Sequence, residues 1–207
     1  MAASTSRTGL APGQYYAHRW IYYSALGDPQ IRTEDWRLTI GGLVERPTVL
    51  TLDDLAKLPQ SQFTRDFQCV TQWSIKDVVW EGVRFNEIAR LVGVKSQAHW
   101  VIYRCADGYT APVPLEDAMV DDSLIALQMN GGPIPRPQGY PARPFIPHLY
   151  GWKSAKWLTG IEFAEDYSDG YWEHLGYHER ANIWEEERFK GHVGTHQRHR
   201  STGSAPV

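Results

Sequence analysis

The chain has 207 residues, of which 42% are hydrophobic and 22% are charged, as is usual for one globular domain with a sizeable core. Its 21 basic and 24 acidic residues give a net charge of −3, which does not support a nucleic-acid-binding surface. No apolar run approaches the ~18 residues of a membrane helix, and 2 cysteines are too few for a disulfide framework. Residues 1–13 contain no apolar segment typical of an export signal, so we expect a reduced, cytoplasmic protein.

Composition divides the chain into four parts. Residues 1–14 are small and polar, and we expect them to be disordered. Residues 15–165 carry the regular hydrophobic patterns and form the expected domain. Residues 166–189 are rich in aromatic and acidic side chains, and we expect them to wrap over that same domain. Residues 190–207 are basic and contain several histidines, which is typical of a disordered tail.

In the first third of the chain, alternating apolar residues predict short strands at 36–40 and 48–50. The second of these leads directly into a short helix. Thr51 is a suitable N-cap for that helix, acidic residues follow in its first turn, and Pro59 ends it. A further strand is predicted at 63–67.

The rest of the chain alternates between short strands and short helices. Apolar residues at helical spacing predict a helix at 85–92, which Gly93 ends. The Pro- and Gly-rich residues 133–147 form a loop whose length indicates a functional segment. The other predicted elements are strands at 100–103, 110–113, 123–129 and 158–163 and a short helix from residue 114. This mixture, without regular βαβ repeats, predicts an α+β domain with a mixed sheet.

One of the two cysteines, Cys69, follows the predicted strand at 63–67 and lies in the sequence Phe-Gln-Cys-Val-Thr-Gln-Trp-Ser at 67–74. A thiolate is a soft ligand and a strong nucleophile, so this residue is a candidate metal ligand or catalytic thiol. Packing in the core is the alternative, because free cysteine is among the most often buried residue types. The second cysteine, Cys105, is expected at a buried strand end.

The segment 67–74, with Val-Trp-Glu-Gly-Val at 79–83, resembles the core signature of the sulfite oxidase-type molybdopterin-dependent oxidoreductases. The likeness is greatest to a small single-domain branch that includes the catalytic subunit of protein-methionine-sulfoxide reductase. The patterns Trp-x-Leu-x-Ile-x-Gly at 36–42 and Pro-x-x-Leu-Thr-Leu-x-x-Leu at 47–55 fit the same family. The resemblance implies an enzyme with a sulfite oxidase-like mixed-sheet fold and a molybdenum-molybdopterin cofactor.

The resemblance assigns Cys69 to the molybdenum, which this family holds through a pterin dithiolene, one protein thiolate and oxygen ligands. One soft sulfur from the protein is enough at such a centre, whereas a structural zinc site takes four ligands. The sequence has neither a Cys-x-x-Cys pair nor a His-Glu-x-x-His motif. His174 and His178 lie four residues apart, but Gly176 between them weakens a helix and no third ligand is evident.

Two further segments resemble parts of the family's cofactor site. Gln138 and Arg143, in Gln-Gly-Tyr-Pro-Ala-Arg, match a segment that contacts the pterin, and arginine suits a phosphate or a polar ring edge. Another segment, Tyr-Gly-Trp-Lys-Ser-Ala-Lys-Trp, contributes Lys153, Ser154 and Lys156, which match residues that bind the terminal phosphate. The alternative is that these residues are solvated charges on a surface loop and helix.

The turn Cys-Ala-Asp-Gly-Tyr supplies the catalytic candidates besides Cys69. This loop approaches the metal in related sequences, which implies that Asp107 or Tyr109 hydrogen-bonds an oxo group or the substrate. An ordinary hairpin turn explains the same residues. The aromatic residues 15–23 correspond to a wall of the family's cofactor pocket, where His18 and Arg19 are candidates, or they form a packed N-terminal arm.

The predicted function is therefore oxygen-atom transfer at a molybdenum bound by Cys69, with the metal cycling between Mo(VI) and Mo(IV). Sulfite-oxidising relatives surround the metal with arginines, whereas Val-Thr-Gln-Trp-Ser follows Cys69 here, which favours a small-molecule S-oxide or N-oxide. The sequence has no haem-attachment motif, so we expect electrons from a separate electron-transfer protein. The alternatives are sulfite oxidation, a molybdopterin-binding carrier without turnover, and a metal-free cysteine-dependent redox enzyme.

Overall fold

Two β-sheets and four short helices build the fold in the computed structural model, which describes residues 7–191. The strands, in chain order, are β1 (Tyr15–Tyr16), β2 (Leu38–Gly42), β3 (Thr48–Leu50), β4 (Gln60–Gln68), β5 (Trp73–Arg84), β6 (Trp100–Cys105), β7 (Thr110–Pro114), β8 (Leu124–Met129), β9 (Gly132–Pro133), β10 (Arg143–Phe145) and β11 (Leu158–Ala164). The helices are α1 (Leu52–Lys57), α2 (Phe85–Val92), α3 (Leu115–Ala118) and α4 (Tyr171–His174), and 3-10 turns lie at Arg136–Gln138 and Gly151–Lys153. The α+β class predicted from the sequence is confirmed.

The first sheet is organised around β5, which pairs antiparallel with β4 and β8 and parallel with β1. The strands β9 and β10 then pair with β8. The sequence predicted only the middle of β4 and missed β5. The ladders of both strands shift register, between Arg65 and Phe67 in one and between Glu81 and Gly82 in the other. Such irregularities interrupt the alternation of apolar and polar residues by which a strand is recognised.

The second sheet has the order β3-β2-β11-β6-β7, in which β11 runs parallel to β2 and antiparallel to β6. The buried face of α2, with Phe85, Ile88 and Val92, packs into the main hydrophobic core beside residues of this sheet such as Ile40 and Phe163. No helix within residues 7–191 has the length and apolar character needed to cross a membrane.

Local sequence signals fix the ends of the two longest helices. Thr51 caps α1, because its hydroxyl accepts a hydrogen bond from the amide of Asp54 while the Asp54 carboxylate accepts one from the Thr51 amide. Gly93 ends α2 in a left-handed conformation with φ of 65°, and its amide donates to the carbonyl of Ala89 at 3.0 Å. Both helices therefore occur where the sequence predicted them.

Residues 133–147, predicted as a long loop, contain more regular structure than expected. They hold a 3-10 turn and the strand β10, which pairs antiparallel with β8. Phe145 of that strand stacks on Trp80 of β5 with ring centroids 4.2 Å apart. The segment is therefore fixed against the first sheet by pairing and stacking between residues that are distant in sequence.

Both chain ends pack against the domain over the residues that the structure describes. Residues 7–14 differ from the expected disorder: Ala11 is buried, and its amide donates to the side chain of Gln68 at 3.0 Å. Near the other end, Tyr177 and Phe189 form an isolated β-bridge, and their rings are 5.0 Å apart. The expected tail, 190–207, falls outside the described residues from residue 192 onward.

Candidate active site

A cavity of about 380 Å³ brings together most of the residues singled out in the sequence. The residues that the sequence motifs assigned to catalysis or cofactor binding line it, except Lys153, although they are spread over much of the chain. Its lining includes Trp20, Tyr23, Phe67, Cys69, Thr71, Trp73, Asp107, Tyr109, Gln138, Arg143, Trp152, Ser154, Lys156, Trp172 and Tyr177. The size is in the range of pockets that enclose a small molecule or cofactor.

Cys69 lies on the tight turn that joins β4 to β5. Its amide donates to the carbonyl of Trp73 at 2.9 Å, and its carbonyl accepts from the amide of Gln72 at 3.1 Å. Gln72 adopts a φ of 75°, which closes the turn. The half-buried thiol lines the cavity with its sulfur 3.2 Å from the hydroxyl of Thr71.

Cys105 is the second thiol, and its surroundings differ from those of Cys69. It is buried at the end of β6, as the sequence predicted, and it does not line the cavity. Burial, together with the charge of Asp107, holds the pKa of this thiol well above its usual value. Of the two thiols, Cys69 is therefore the one that lines the cavity.

Arg143, at the start of β10, is a buried cation among uncharged partners. Its Nε donates to Ser154 Oγ at 2.9 Å and its Nη1 to the carbonyl of Gln138 at 2.8 Å. The guanidinium also lies over the rings of Phe67 and Trp80, 5.4 and 5.7 Å from their centroids. Within residues 7–191 no carboxylate pairs with it, so its positive charge remains available to an anion in the cavity.

Burial lowers the pKa of Arg143 to about 9, so the group still carries its charge at neutral pH. Lys156 is the second cation of the lining, and its Nζ donates to the carbonyl of Tyr23 at 2.7 Å. Burial, and then repulsion from Arg143, lowers the pKa of Lys156 to about 8. The two cations therefore give this part of the cavity a positive potential at neutral pH.

Gln138 contributes an unused hydrogen-bond donor. Its Oε1 lies 3.2 Å from Nη1 of Arg143, which orients the amide. The amide Nε2 is then buried and, among the described residues, has no acceptor. An unsatisfied buried donor costs about 1–3 kcal/mol, so this position favours an occupant with an acceptor atom.

Ser154 and Lys153 act inside the protein in the structure. The Ser154 hydroxyl accepts from Arg143 and donates to the carbonyl of Pro144, so it holds the guanidinium in place. Lys153 points away from the cavity, in contrast to its predicted role, and its Nζ donates to the carbonyl of Pro112 at 2.6 Å and to Glu173 at 2.7 Å. Both side chains of that ion pair are fully buried. A buried ammonium requires a carboxylate and carbonyl acceptors, which Glu173 and Pro112 provide.

The turn at 105–109 places Asp107 and Tyr109 in the lining. Oδ1 of Asp107 accepts from the amide of Tyr109 at 3.0 Å, and burial raises the pKa of this carboxyl. The Tyr109 hydroxyl donates to the carbonyl of Trp152 at 2.7 Å, and burial holds its pKa well above the usual value. Both residues line the cavity, and the bond to the Tyr109 amide uses only one of the two carboxyl oxygens of Asp107.

Sequence reasoning missed two aromatic residues of the lining, Trp172 and Tyr177, whose rings are 4.8 Å apart. Their only signal was the density of aromatic residues after residue 166. Of the N-terminal candidates, residues 20–25 line the cavity and His18 and Arg19 do not. His174 and His178 belong to no group of three or more potential metal ligands within residues 7–191.

Comparison with known proteins gives a family match over residues 25–172, to the oxidoreductase molybdopterin binding domain. The Bacillus subtilis protein named uncharacterized oxidoreductase YuiH is 44% identical over 154 residues, which cover 74% of this chain and 78% of that protein. The catalytic subunit MsrP of a protein-methionine-sulfoxide reductase from Campylobacter jejuni is 27% identical over 68% of this chain and 53% of its own length.

A solved structure shares the fold of the chain. The sulfane dehydrogenase SoxCD of Paracoccus pantotrophus superimposes with a TM-score of 0.62 and is 26% identical in sequence. The match covers 68% of this chain and 41% of the SoxCD chain. This chain therefore spans only about half of the length of the MsrP and SoxCD relatives.

The position of Lys153 leads to a prediction about stability. We expect Lys153→Met to destabilise the cofactor-free protein by about 3–5 kcal/mol, because it leaves the Glu173 carboxylate buried without its partner. Urea unfolding measures this change, and the exposed pair of Lys190 and Asp169 is the control, for which Lys190→Met should leave the unfolding midpoint nearly unchanged. Adding Glu173→Gln to Lys153→Met should restore much of the loss. If Lys153→Met instead kept its stability and lost only the cofactor, Lys153 would be a cofactor-binding residue.

Proposed function

The chain belongs to the oxidoreductase molybdopterin-binding domain family, and from that premise we propose that it reduces an S-oxide or N-oxide by oxygen-atom transfer at a molybdenum bound by Cys69. The family match and the relatives confirm the predicted likeness of the chain to sulfite oxidase-type molybdopterin enzymes, and the chain is an oxidoreductase of that type. The ligand, the substrate and the partner below are our proposals.

The lining of the cavity fits the molybdenum-molybdopterin cofactor that this family uses. The group carries a phosphate and a pterin ring with polar edges, and Arg143 and Lys156 supply positive charge without a carboxylate partner among the described residues. Gln138 supplies the buried donor that lacks an acceptor. These three residues would hold the cofactor, while Ser154 would position Arg143.

Cys69 would be the protein ligand of the metal. The bound cofactor supplies a metal that exchanges an oxygen atom together with two electrons. The main observation behind the proposal is that one cavity is lined both by the free thiol of Cys69 and by two cations, Arg143 and Lys156, that have no carboxylate partner among the described residues. The thiol would fix the metal at one point of the cavity, and the cations would fix the anionic part of the cofactor at another.

The substrate side of the cavity favours an uncharged molecule. The two cations of the lining are assigned to the cofactor, and the remaining lining is largely aromatic, with Trp20, Trp172 and Tyr177. Reduction of an S-oxide takes two electrons and two protons and releases water and the sulfide. Asp107, whose pKa is raised by burial, can hold one of these protons at its Oδ2. The Tyr109 oxygen, which donates to Trp152, can still accept a hydrogen bond.

Electrons would come from a separate electron-transfer protein. The MsrP relative is named as the catalytic subunit of a reductase, which supports a separate electron donor. The cytoplasm, whose reducing conditions suit the unpaired thiols of Cys69 and Cys105, is the compartment that we propose. The substrate is then a small molecule that enters the cavity.

The metal ligand is tested by removing each thiol in turn from protein made in a molybdopterin-producing host. We expect Cys69→Ala to lose molybdenum and to keep pterin, because Gln138, Arg143 and Lys156 remain. Cys105→Ala is the matched control and should keep both, since that thiol is buried outside the cavity. Metal analysis and pterin fluorescence give the two contents. Stoichiometric molybdenum in Cys69→Ala would contradict the assignment, and pterin without molybdenum in the wild type would favour a carrier.

The substrate class is tested with the metal-loaded wild-type protein. With a reduced dye as electron donor, we expect turnover of methionine sulfoxide or a comparable uncharged oxide, because the aromatic lining offers no further cation to a dianion. Sulfite with an oxidised dye as acceptor should give no measurable rate. Sulfite oxidation in the absence of any oxide reduction would reverse the proposed direction and substrate.

A further inference from the structure

The turn that carries Cys69 is closed by two backbone hydrogen bonds of its own. The amide of Cys69 donates to the carbonyl of Trp73, the amide of Gln72 donates to the carbonyl of Cys69, and Gln72 has a left-handed φ of 75°. The carbonyl of Val70 has no partner inside the turn among the described hydrogen bonds. A metal ligand is held in one orientation by partners around it, and contacts from outside the turn add to its own two hydrogen bonds.

Gln14, near the N-terminus, is one such restraint. Its Nε2 donates to the carbonyl of Cys69 at 3.0 Å, and its Oε1 accepts from the hydroxyl of Ser74 at 3.0 Å. The amide of Tyr15 also donates to the carbonyl of Gln72 at 2.9 Å. One side-chain amide therefore connects residues on both sides of the turn, and the adjacent strand β1 continues the contact.

Arg188, near the other end of the described chain, is the second restraint. Its Nη1 donates to the carbonyl of Val70, and its guanidinium lies 4.7 Å from the ring centroid of Tyr150. The side chain is only 5% exposed. The segment before Gln14 also lies close to Arg188: a Cβ atom added to Gly13 would be 3.0 Å from Glu186 and 3.4 Å from Arg188.

We propose that Gln14 and Arg188 are positioning residues that jointly hold the Cys69 turn in the shape required of a metal ligand. Neither residue lines the cavity, so both act through the carbonyls of Cys69 and Val70. The proposal rests on the proposed function, in which Cys69 binds molybdenum. It makes the two terminal segments, which the sequence presented as a disordered end and a surface wrap, parts of the cofactor site.

Metal content relative to pterin content separates positioning from general stability. In protein made in a molybdopterin-producing host, we expect Gln14→Leu and Arg188→Met each to lower the molybdenum-to-pterin ratio about 10-fold, as is typical when the outer partner of a metal ligand is removed. Pterin content should stay at the wild-type level, because Gln138, Arg143 and Lys156 are unchanged. Gln62→Leu, at an exposed glutamine on β4, is the matched control and should keep the wild-type ratio.

Milder substitutions test whether a lower ratio is caused by loss of positioning or by loss of folding. Gln14→Glu keeps the acceptor for Ser74 and loses the donor to Cys69, so it should also lower the ratio. Arg188→Lys retains a donor for the carbonyl of Val70 and should recover part of the ratio lost in Arg188→Met. Wild-type ratios in all of these variants would overturn the proposal, and so would a parallel loss of pterin and metal.

A second readout does not depend on the cofactor. In the cofactor-free protein, Cys69 should be alkylated by iodoacetamide faster in Gln14→Leu than in the wild type, because the turn is less restrained; mass spectrometry of the peptide measures the rate. Equal rates would contradict the proposal. The two hypotheses can be tested separately. If Cys69 does not bind the metal, Cys69→Ala keeps its molybdenum. If Cys69 binds the metal but Gln14 does not position it, Cys69→Ala lacks molybdenum and Gln14→Leu keeps it.

Discussion

The site depends on the burial of the Arg143 guanidinium. A charge this deep in a protein costs free energy unless it is well hydrogen-bonded, and here carbonyl and hydroxyl oxygens of Gln138 and Ser154 take that role. The rings of Phe67 and Trp80 enclose it from the side of the first sheet. Because every partner is uncharged, the positive potential reaches the cavity, where the proposed anionic cofactor would supply the counter-charge.

The opposite requirement applies at Cys69, which must be accessible and yet fixed. The turn between β4 and β5 gives access, since it lies where the pairing of the two strands ends. Fixation comes from Gln14 and Arg188, residues from the two ends of the described chain. In the proposed site, two tasks are thus separated: the region around Arg143 would bind the anionic part of the cofactor, and the Cys69 turn would present the thiol to the metal.

Local signals allowed much of the fold to be predicted, and non-local contacts account for what was missed. Thr51 and Gly93 mark helix ends through bonds within a few residues, so the sequence suffices for α1 and α2. The strands β5 and β10 form through pairing with β8, which no local pattern reveals. Likewise, Lys153 and Lys156 lie in one motif, but the Lys153 ammonium turns away from the cavity and pairs with the buried Glu173. Glu173 is distant in sequence, so the motif alone does not reveal this contact.

X-ray absorption at the molybdenum edge tests whether Cys69 binds the metal, because it counts the sulfur atoms bound to molybdenum. Three sulfur ligands are expected in the wild type, two from the pterin dithiolene and one from Cys69. Cys69→Ser should reduce the sulfur count by one and replace it with oxygen wherever the metal is retained. An unchanged sulfur count in Cys69→Ser would show that the thiol in the cavity is not a ligand, and the proposed mechanism would fail.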